Sequence, residues 1–206
     1  MKKFVSLLST ACICLSVGAI FTACEQTDTT VTVTEEEWRT AFSLNSFSNV
    51  TVNGVTSQGT AWEATSHAQI CTDGSYLDTT ENGVDDSNLY YQIENGNYYV
   101  FSIDSDGKWR RSTTEEYQGI DQDDFASSFF IDLSNDYENF SYDDKIKGYV
   151  DSDCLWNGYT FNAAVKFTEG KVSQIMMESD YANMSINYSN YGTTIISYPE
   201  NYEING

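Results

Sequence analysis

Acidic side chains are the most frequent candidates for chemistry in this sequence, and they occur in short groups. One group, Asp104-Ser105-Asp106-Gly107, begins like a calcium-binding loop but lacks the later ligands and the acidic residue at position 12. A hairpin turn requires the same residue types. A glycosidase would need two carboxylates that face one cleft, which abundant acids alone do not indicate. We therefore predict no metal site and a mainly solvated acidic surface, to which these groups also belong: Asp121/Asp123/Asp124, Asp143/Asp144 and Asp151/Asp153.

The nucleophile and metal-ligand types are sparse. His67 is the single histidine, and the strand-like stretch around it offers no partner for a catalytic triad. Cys71 and Cys154 with one histidine do not form a convincing zinc set, and no Ser elbow, phosphate loop or CxxC motif occurs. Outside the cytoplasm the two cysteines could form a disulfide, or they could remain buried thiols. The sequence therefore predicts a non-catalytic protein without a cofactor.

The first residues have the layout of a secretory signal. Lys2 and Lys3 precede an apolar run, Phe4 to Ile20. Ordinary signal-peptidase cleavage after Ala23 would place the bulky Phe21 at position −3, where a small residue is required. An uncleaved transmembrane anchor is the alternative, for which the run is short.

The end of this run resembles the lipobox of bacterial lipoproteins. Phe21-Thr22-Ala23-Cys24 has an apolar residue, two small residues and a cysteine, with Phe in place of the usual Leu. The resemblance implies that residues 1–23 are a signal peptide and that Cys24 is diacylated with palmitate-like chains, which hold a protein at a membrane stably. It implies an extracytoplasmic location in the bacterial cell envelope. Residues 24–33 are then predicted to form a flexible tether, although the Val-Thr alternation there could form a short strand.

Composition limits the partners. The chain has 206 residues, with 10 Lys+Arg, 31 Asp+Glu and a net charge of −21. Such a charge repels nucleic acid and anionic head groups, so we predict no nucleic-acid partner and membrane contact only through the lipid anchor. Fifteen Tyr, eleven Phe and four Trp argue against disorder. The length predicts a single domain over residues 34–206.

Two segments have helical signals. Thr34–Glu37 forms a capping box, and Trp38, Ala41 and Phe42 follow on one apolar face. Behind Asp121, apolar residues recur at helical spacing and predict a second helix that extends to Leu133.

The rest of the chain alternates with period two, as in Tyr159–Thr168 and Met184–Ser189, which is typical of antiparallel strands with one buried face. Short turns separate the strands, which favours hairpins: Asn95-Gly96, Asp106-Gly107, Asn157-Gly158 and Glu169-Gly170. The predicted fold class is α+β, with a strongly curved antiparallel sheet of about nine to eleven strands. This open half-barrel would wrap around one to three helices.

This order of elements resembles the lipoprotein-carrier superfamily, which includes the LolA/LolB-like half-barrels and the mycobacterial lipid-binding lipoproteins. The closing stretch, Ser185–Ile196 followed by Pro199, is similar to the last strands of such domains. The likeness spans about Thr34 to Glu200 and carries no residue motif. It implies an apolar cavity between sheet and helices that holds an acyl chain.

Large apolar and sulfur-containing side chains could line that cavity, because Met adapts to irregular ligands. The candidate ligand-binding residues are Phe125, Phe129, Phe130, Trp156, Met176 and Met184. The same residues could instead fill an ordinary core. Tyrosines predicted on the wetter face, such as Tyr90 and Tyr98, suit sugar or protein contacts. The alternative function is therefore a surface module that binds protein or carbohydrate.

The lipobox resemblance generates a direct prediction. Cys24→Ser should prevent acylation and leave unprocessed precursor, because serine lacks the acceptor thiol. Metabolic labelling with a palmitate analogue, followed by gel analysis, measures this. Label retained on the variant would exclude Cys24 as the acylated residue.

Overall fold

The fold is α+β and is built on an open, mostly antiparallel sheet, in agreement with the fold class predicted from the sequence. The computed structural model describes residues 32–113 and 130–204. Residues from Thr32 onward form one compact unit. The strands in chain order are β1 Val50–Gln58, β2 Trp62–Cys71, β3 Gly74–Glu81, β4 Val84–Glu94, β5 Asn97–Ile103, β6 Trp109–Thr113, β7 Ser141–Asp143, β8 Gly148–Trp156, β9 Tyr159–Thr168, β10 Lys171–Glu178, β11 Asn183–Ser189 and β12 Glu203–Ile204.

The sheet has twelve strands in the order β12-β6-β5-β4-β3-β2-β1-β11-β10-β9-β8-β7. Neighbours are antiparallel except for β12, which pairs parallel with β6 through Glu203 and Ile204. The prediction of nine to eleven strands was therefore too low. Strands of two and three residues, such as β12 and β7, are too short to show period-two alternation.

The single α-helix in the described part of the chain, α1, covers Glu35–Ala41 and has the predicted capping box. The Thr34 hydroxyl accepts a hydrogen bond from the Glu37 amide at 3.3 Å, and the Glu37 carboxylate accepts one from the Thr34 amide at 2.8 Å. The backbone hydrogen bond from Thr34 lowers the pKa of Glu37. Two 3₁₀ helices cover Leu44–Phe47 and Tyr137–Asn139.

The second predicted helix lies mostly outside the described residues, which resume at Phe130. Residues 130–133 have no helical hydrogen-bond pattern. Ile131 and Leu133 are buried while Asp132 between them is exposed, so the backbone there has a period of two. The helical spacing of Phe130 and Leu133 was therefore misleading.

One face of the sheet, here called the inner face, packs against α1. Trp38 at the centre of α1 has no exposed surface, and its ring lies 5.5 Å from Tyr149 of β8 and 5.3 Å from Phe167 of β9. Further inner-face residues, all buried, continue the core across the sheet: Val52, Ala68, Leu77, Tyr91, Val100, Val165, Ile175, Met177, Ile186 and Tyr188.

The opposite, outer face is partly covered by residues 190–204, here called the C-terminal segment. The Thr194 carbonyl accepts a hydrogen bond from the Cys71 thiol at 3.0 Å. Farther along, the Tyr198 hydroxyl lies 3.1 Å from the Asp73 carbonyl and 3.2 Å from the Tyr91 carbonyl. A Cβ at Gly74 would come within 2.2 Å of that hydroxyl. Glycine at position 74 therefore allows the C-terminal segment to approach the sheet.

Three of the four predicted hairpin turns follow the sequence prediction, whereas at Asp106-Gly107 only the glycine has positive φ and a longer turn joins β5 to β6. Asn95, Asn157 and Glu169 each have positive φ, as do the glycines that follow them. Two consecutive residues with positive φ match the right-handed twist of the flanking strands. These turns join β4 to β5, β8 to β9 and β9 to β10, so local chemistry determines three of the antiparallel pairings.

Val33 is the last residue of the predicted tether, but it is held in the core. It is 3% exposed, and its amide donates a hydrogen bond of 2.5 Å to the Tyr149 hydroxyl. The Tyr149 and Tyr137 hydroxyls each lie 3.2 Å from the Val33 carbonyl oxygen. The chain therefore enters the domain through a buried contact between Val33 and two tyrosines.

This contact predicts the effect of Tyr149→Phe. Removal of the hydroxyl leaves the buried Val33 amide without its acceptor and should lower the free energy of unfolding by about 1–3 kcal/mol. Urea unfolding measures the change. Tyr142→Phe is the matched control, because its ring contacts Tyr149 at 5.4 Å and its hydroxyl makes no hydrogen bond within the described residues. Equal effects of the two substitutions would contradict the role given to the Tyr149 hydroxyl.

Candidate functional site

The structure places three of the predicted ligand-binding residues, Phe130, Trp156 and Met184, at the margin of the core, where each is partly buried. Met176 lies on the outer face, because its neighbours Ile175 and Met177 are buried on the inner face. Phe125 and Phe129 lie outside the described residues, as does Cys24. Of the predicted set, Phe130 lines a groove.

This groove, here called the α1 groove, runs between the C-terminal end of α1 and the segment that begins at Phe130, and has a volume of about 550 Å³. Pockets for small ligands have volumes of about 300–1,000 Å³. The lining residues divide into an apolar floor and a polar rim: Phe42, Leu44 and Phe130 form the floor, and Arg39, Ser43, Asp132, Ser134 and Asn135 form the rim.

Packing fixes the floor in place. Phe42 is 1% exposed and its amide continues α1 by a hydrogen bond to the Trp38 carbonyl at 3.0 Å. Phe130 stacks edge-on against Phe47 of the first 3₁₀ helix, with 4.9 Å between ring centroids. Leu44 begins that 3₁₀ helix and is 69% exposed. The groove therefore presents one exposed apolar side chain, Leu44, together with two anchored rings.

The rim has one positive and one negative side chain. Arg39 pairs with Glu35 at 2.8 Å, but both side chains are about half exposed. Such a surface pair contributes little stability, so the guanidinium can exchange its partner. Asp132 accepts a hydrogen bond from the Ser134 amide at 2.9 Å, which turns the chain at the rim. The groove thus combines an apolar floor with a guanidinium that could bind an anionic group.

A second opening lies on the solvent side of α1 and has a volume of about 740 Å³. It is lined by Thr34, Glu35, Glu36, Arg39, Thr40 and Ser43. All six side chains are polar and the lining includes two carboxylates. This opening therefore suits water better than an apolar ligand.

Sequence reasoning identified Phe130 and missed Leu44. Leu44 stands among polar residues just after a helix, where a single apolar residue is usually interpreted as part of a turn. Its exposure depends on the 3₁₀ helix that follows α1, and neither the helical nor the strand period predicts that element. Asp132 and Asn135 were missed because they lie in an irregular stretch and a turn, which neither period predicts.

The remaining candidate residues have structural partners. The Nδ1 atom of His67 lies 2.8 Å from Oδ1 of Asn53, and its ring is 5.9 Å from the ring of Tyr76. Cys71 and Cys154 are both free and buried. Burial raises the pKa of Cys71, and it raises that of Cys154 to about 11. Both thiols are thus protonated and shielded at neutral pH, unlike reactive cysteines.

Asp104 forms the turn between β5 and β6. Its Oδ1 atom accepts hydrogen bonds from the amides of Asp106 at 2.9 Å and Lys108 at 3.0 Å. Its Oδ2 atom accepts one from Nε of Arg110 at 2.6 Å. These bonds, led by that from Lys108, lower the pKa of Asp104. Both carboxylate oxygens are therefore occupied by donors from the chain itself.

Comparison with solved structures gives a distant similarity, whereas the comparisons with family models and curated proteins give none. No protein-family model matches the chain, and no curated protein does. Among solved structures, the chain is similar to the crystal structure of LprF from Mycobacterium bovis, with 8% sequence identity and a TM-score of 0.40. The similarity covers 81% of this chain and 97% of LprF.

Two features of the described residues bear on membranes and metals. None of their helices combines the length and the hydropathy of a membrane-spanning helix. Within the same residues, no three His, Cys, Asp or Glu side chains converge as a metal site would require.

The bonds to Asp104 generate a prediction about calcium. Because a calcium ion would have to displace three donors, millimolar calcium should raise the melting temperature no more than millimolar magnesium, which screens charge equally. Differential scanning calorimetry at constant ionic strength measures both. A saturable stabilisation by calcium alone, lost in Asp104→Asn, would show that this turn binds calcium.

Proposed function

We propose that this protein is a non-catalytic lipoprotein of the bacterial cell envelope, anchored through Cys24, that binds a hydrophobic ligand with an acyl chain. The α1 groove carries the proposal, since it places Phe130 beside Phe42 and the exposed Leu44. The lipobox resemblance supports the anchor and the extracytoplasmic location. Burial of an acyl chain in the groove would be favourable by about 0.8 kcal/mol for each CH₂ group.

The polar rim suits one end of such a ligand. Arg39 lies at the edge of the groove and carries the positive charge of the rim. A carboxylate or phosphate head group could replace Glu35 as its partner, because the present pair is solvated. The ligand class is therefore an amphiphile with an anionic head and an aliphatic tail.

Two other predicted residues lie away from the α1 groove. Trp156 packs near Phe161, with ring centroids 6.1 Å apart. Met184 pairs across strands with Met177 on the inner face. Neither Trp156 nor Met184 lines the groove, so the proposal does not require either of them to contact the ligand. Met176 is excluded from the proposed site because its side chain is on the outer face.

Binding of the fluorescent fatty acid cis-parinaric acid to the compact unit, residues 32–206, tests the proposal, with palmitate as competitor. We expect saturable binding that Leu44→Asp weakens about tenfold or more, because a carboxylate would replace part of the apolar floor. Val84→Asp is the matched control. Val84 is also 69% exposed but lies at the β3–β4 turn.

A second variant tests the head group. Arg39→Gln should weaken the binding of palmitate and leave the binding of 1-hexadecanol unchanged, because only the acid carries a charge. Melting temperatures of all variants verify that the fold is retained. Absence of saturable binding to the wild type, together with absence of co-purified lipid in native mass spectrometry, would overturn the proposal. Equal affinities of Leu44→Asp and wild type would exclude the α1 groove as the site.

A further inference from the structure

Three aromatic side chains cluster on the outer face of the sheet, beyond the C-terminal segment. Tyr76 of β3 and Tyr90 of β4 are direct cross-strand neighbours, with ring centroids 4.4 Å apart. Trp109 of β6 lies edge-on to Tyr90 at 5.3 Å. All three are half-buried. We call Tyr76, Tyr90 and Trp109 the outer aromatic cluster.

A row of polar side chains runs beside this cluster. His67, Asp78 and Asn88 are direct cross-strand neighbours on β2, β3 and β4. Asp78 and Asn88 each lie two residues from a cluster tyrosine on the same strand, so they share its face. Asn53 extends the row on β1, opposite His67. We call His67, Asp78 and Asn88 the polar row.

The cluster and the row form one environment. Desolvation and, after it, the charge of Asp78 raise the pKa of Tyr90. The same two causes raise the pKa of Tyr76 to about 12, although a side-chain hydrogen bond with Asn88 acts to lower it. No ion pair of the described residues involves Asp78. The carboxylate therefore remains available next to the aromatic rings.

The surroundings hold these side chains in place. Tyr198 of the C-terminal segment lies 6.0 Å from Tyr90 and 5.8 Å from Phe101. Its hydroxyl contacts the carbonyls of Asp73 and Tyr91, which fixes it at the border of the cluster. The outer aromatic cluster thus lies on strands of one sheet, and Tyr198 borders it on one side. A preorganised surface loses little entropy on binding.

The chemistry of this surface selects a ligand class. Aromatic faces carry partial negative charge and attract the weakly positive C–H groups of a ring that lies over them. The polar row supplies acceptors from Asp78 and an imidazole from His67. From Asn88 it supplies only a donor, because the Oδ1 atom of Asn88 is buried and its side chain also hydrogen-bonds to Tyr76. Neighbouring hydroxyl groups, each both donor and acceptor, can use such a mixed set, whereas a cation can use only the acceptors. The net charge of −21 opposes an anion.

We propose that the outer aromatic cluster and the polar row form a binding site for a neutral saccharide. The sugar ring would lie against Tyr76, Tyr90 and Trp109, and its hydroxyls would bond to His67, Asp78 and Asn88. The site is separate from the α1 groove, with which it shares no residue. It therefore gives the protein a second ligand of a different chemical class.

The test uses the full-length protein in a detergent that has no sugar head group. The protein is applied to an array of immobilised glycans, both neutral and sialylated, and to a trimethyl-lysine peptide. Isothermal titration calorimetry then measures the affinity for the neutral oligosaccharide that binds best. We expect binding to neutral glycans only, weakened about tenfold or more by Asp78→Asn, which keeps the shape of the side chain and removes the strong acceptor.

Trp109→Ala should have a similar effect through lost stacking, and thermal unfolding shows whether that variant still folds. Tyr98→Ala is the control: Tyr98 is an exposed tyrosine on the neighbouring β5 and should leave affinity unchanged. Absence of binding to every neutral glycan would overturn the proposal. Binding that Asp78→Asn leaves intact, or preference for sialylated glycans or the trimethyl-lysine peptide, would overturn it as well.

Discussion

The burial of Trp38 is the constraint on which the inner side of this domain depends. A helix of seven residues is too short to be stable by itself, so α1 exists because its central side chain is enclosed. The Trp38 ring contacts Phe42 at the C-terminal cap of α1 and residues from the second 3₁₀ helix, β8 and β9. Its Nε1 donates a hydrogen bond of 2.7 Å to the Leu133 carbonyl. This bond joins α1 to the chain segment that forms the other wall of the α1 groove.

Local patterns in the sequence were sufficient for α1 and for most of the hairpins. The capping box at Thr34 depends on residues three apart, and the hairpins depend on pairs such as Asn157-Gly158, so both can be recognised without knowledge of the tertiary structure. Alternation with period two likewise identified β9 and β11. These features are short-range, and they determine which strands are neighbours wherever a two-residue turn joins them.

Features set by distant contacts could not be predicted. The parallel pairing of Glu203–Ile204 with β6 joins residues more than ninety positions apart and involves only two residues of each strand. Met176 illustrates a second limit: adjacent residues on a strand face opposite ways, and the sequence alone did not show which way each faced. The bulge between Val172 and Gln174 shifts the alternation of β10 before Met176 is reached. The polar row was missed because its members come from three strands and meet only through register.

The sheet separates two surfaces of different chemistry. The α1 groove borders Phe47, which packs on Tyr188 of β11, and Phe42, which packs on Phe167 of β9, both on the inner face. The outer aromatic cluster uses β3, β4 and β6 on the opposite face. Because β1 and β2 lie between β11 and β3 in the strand order, the two surfaces differ in face and in position along the sheet. Substitutions in one surface should therefore have little effect on ligand binding at the other, because the effects of substitutions at distant sites with no shared partner are usually additive.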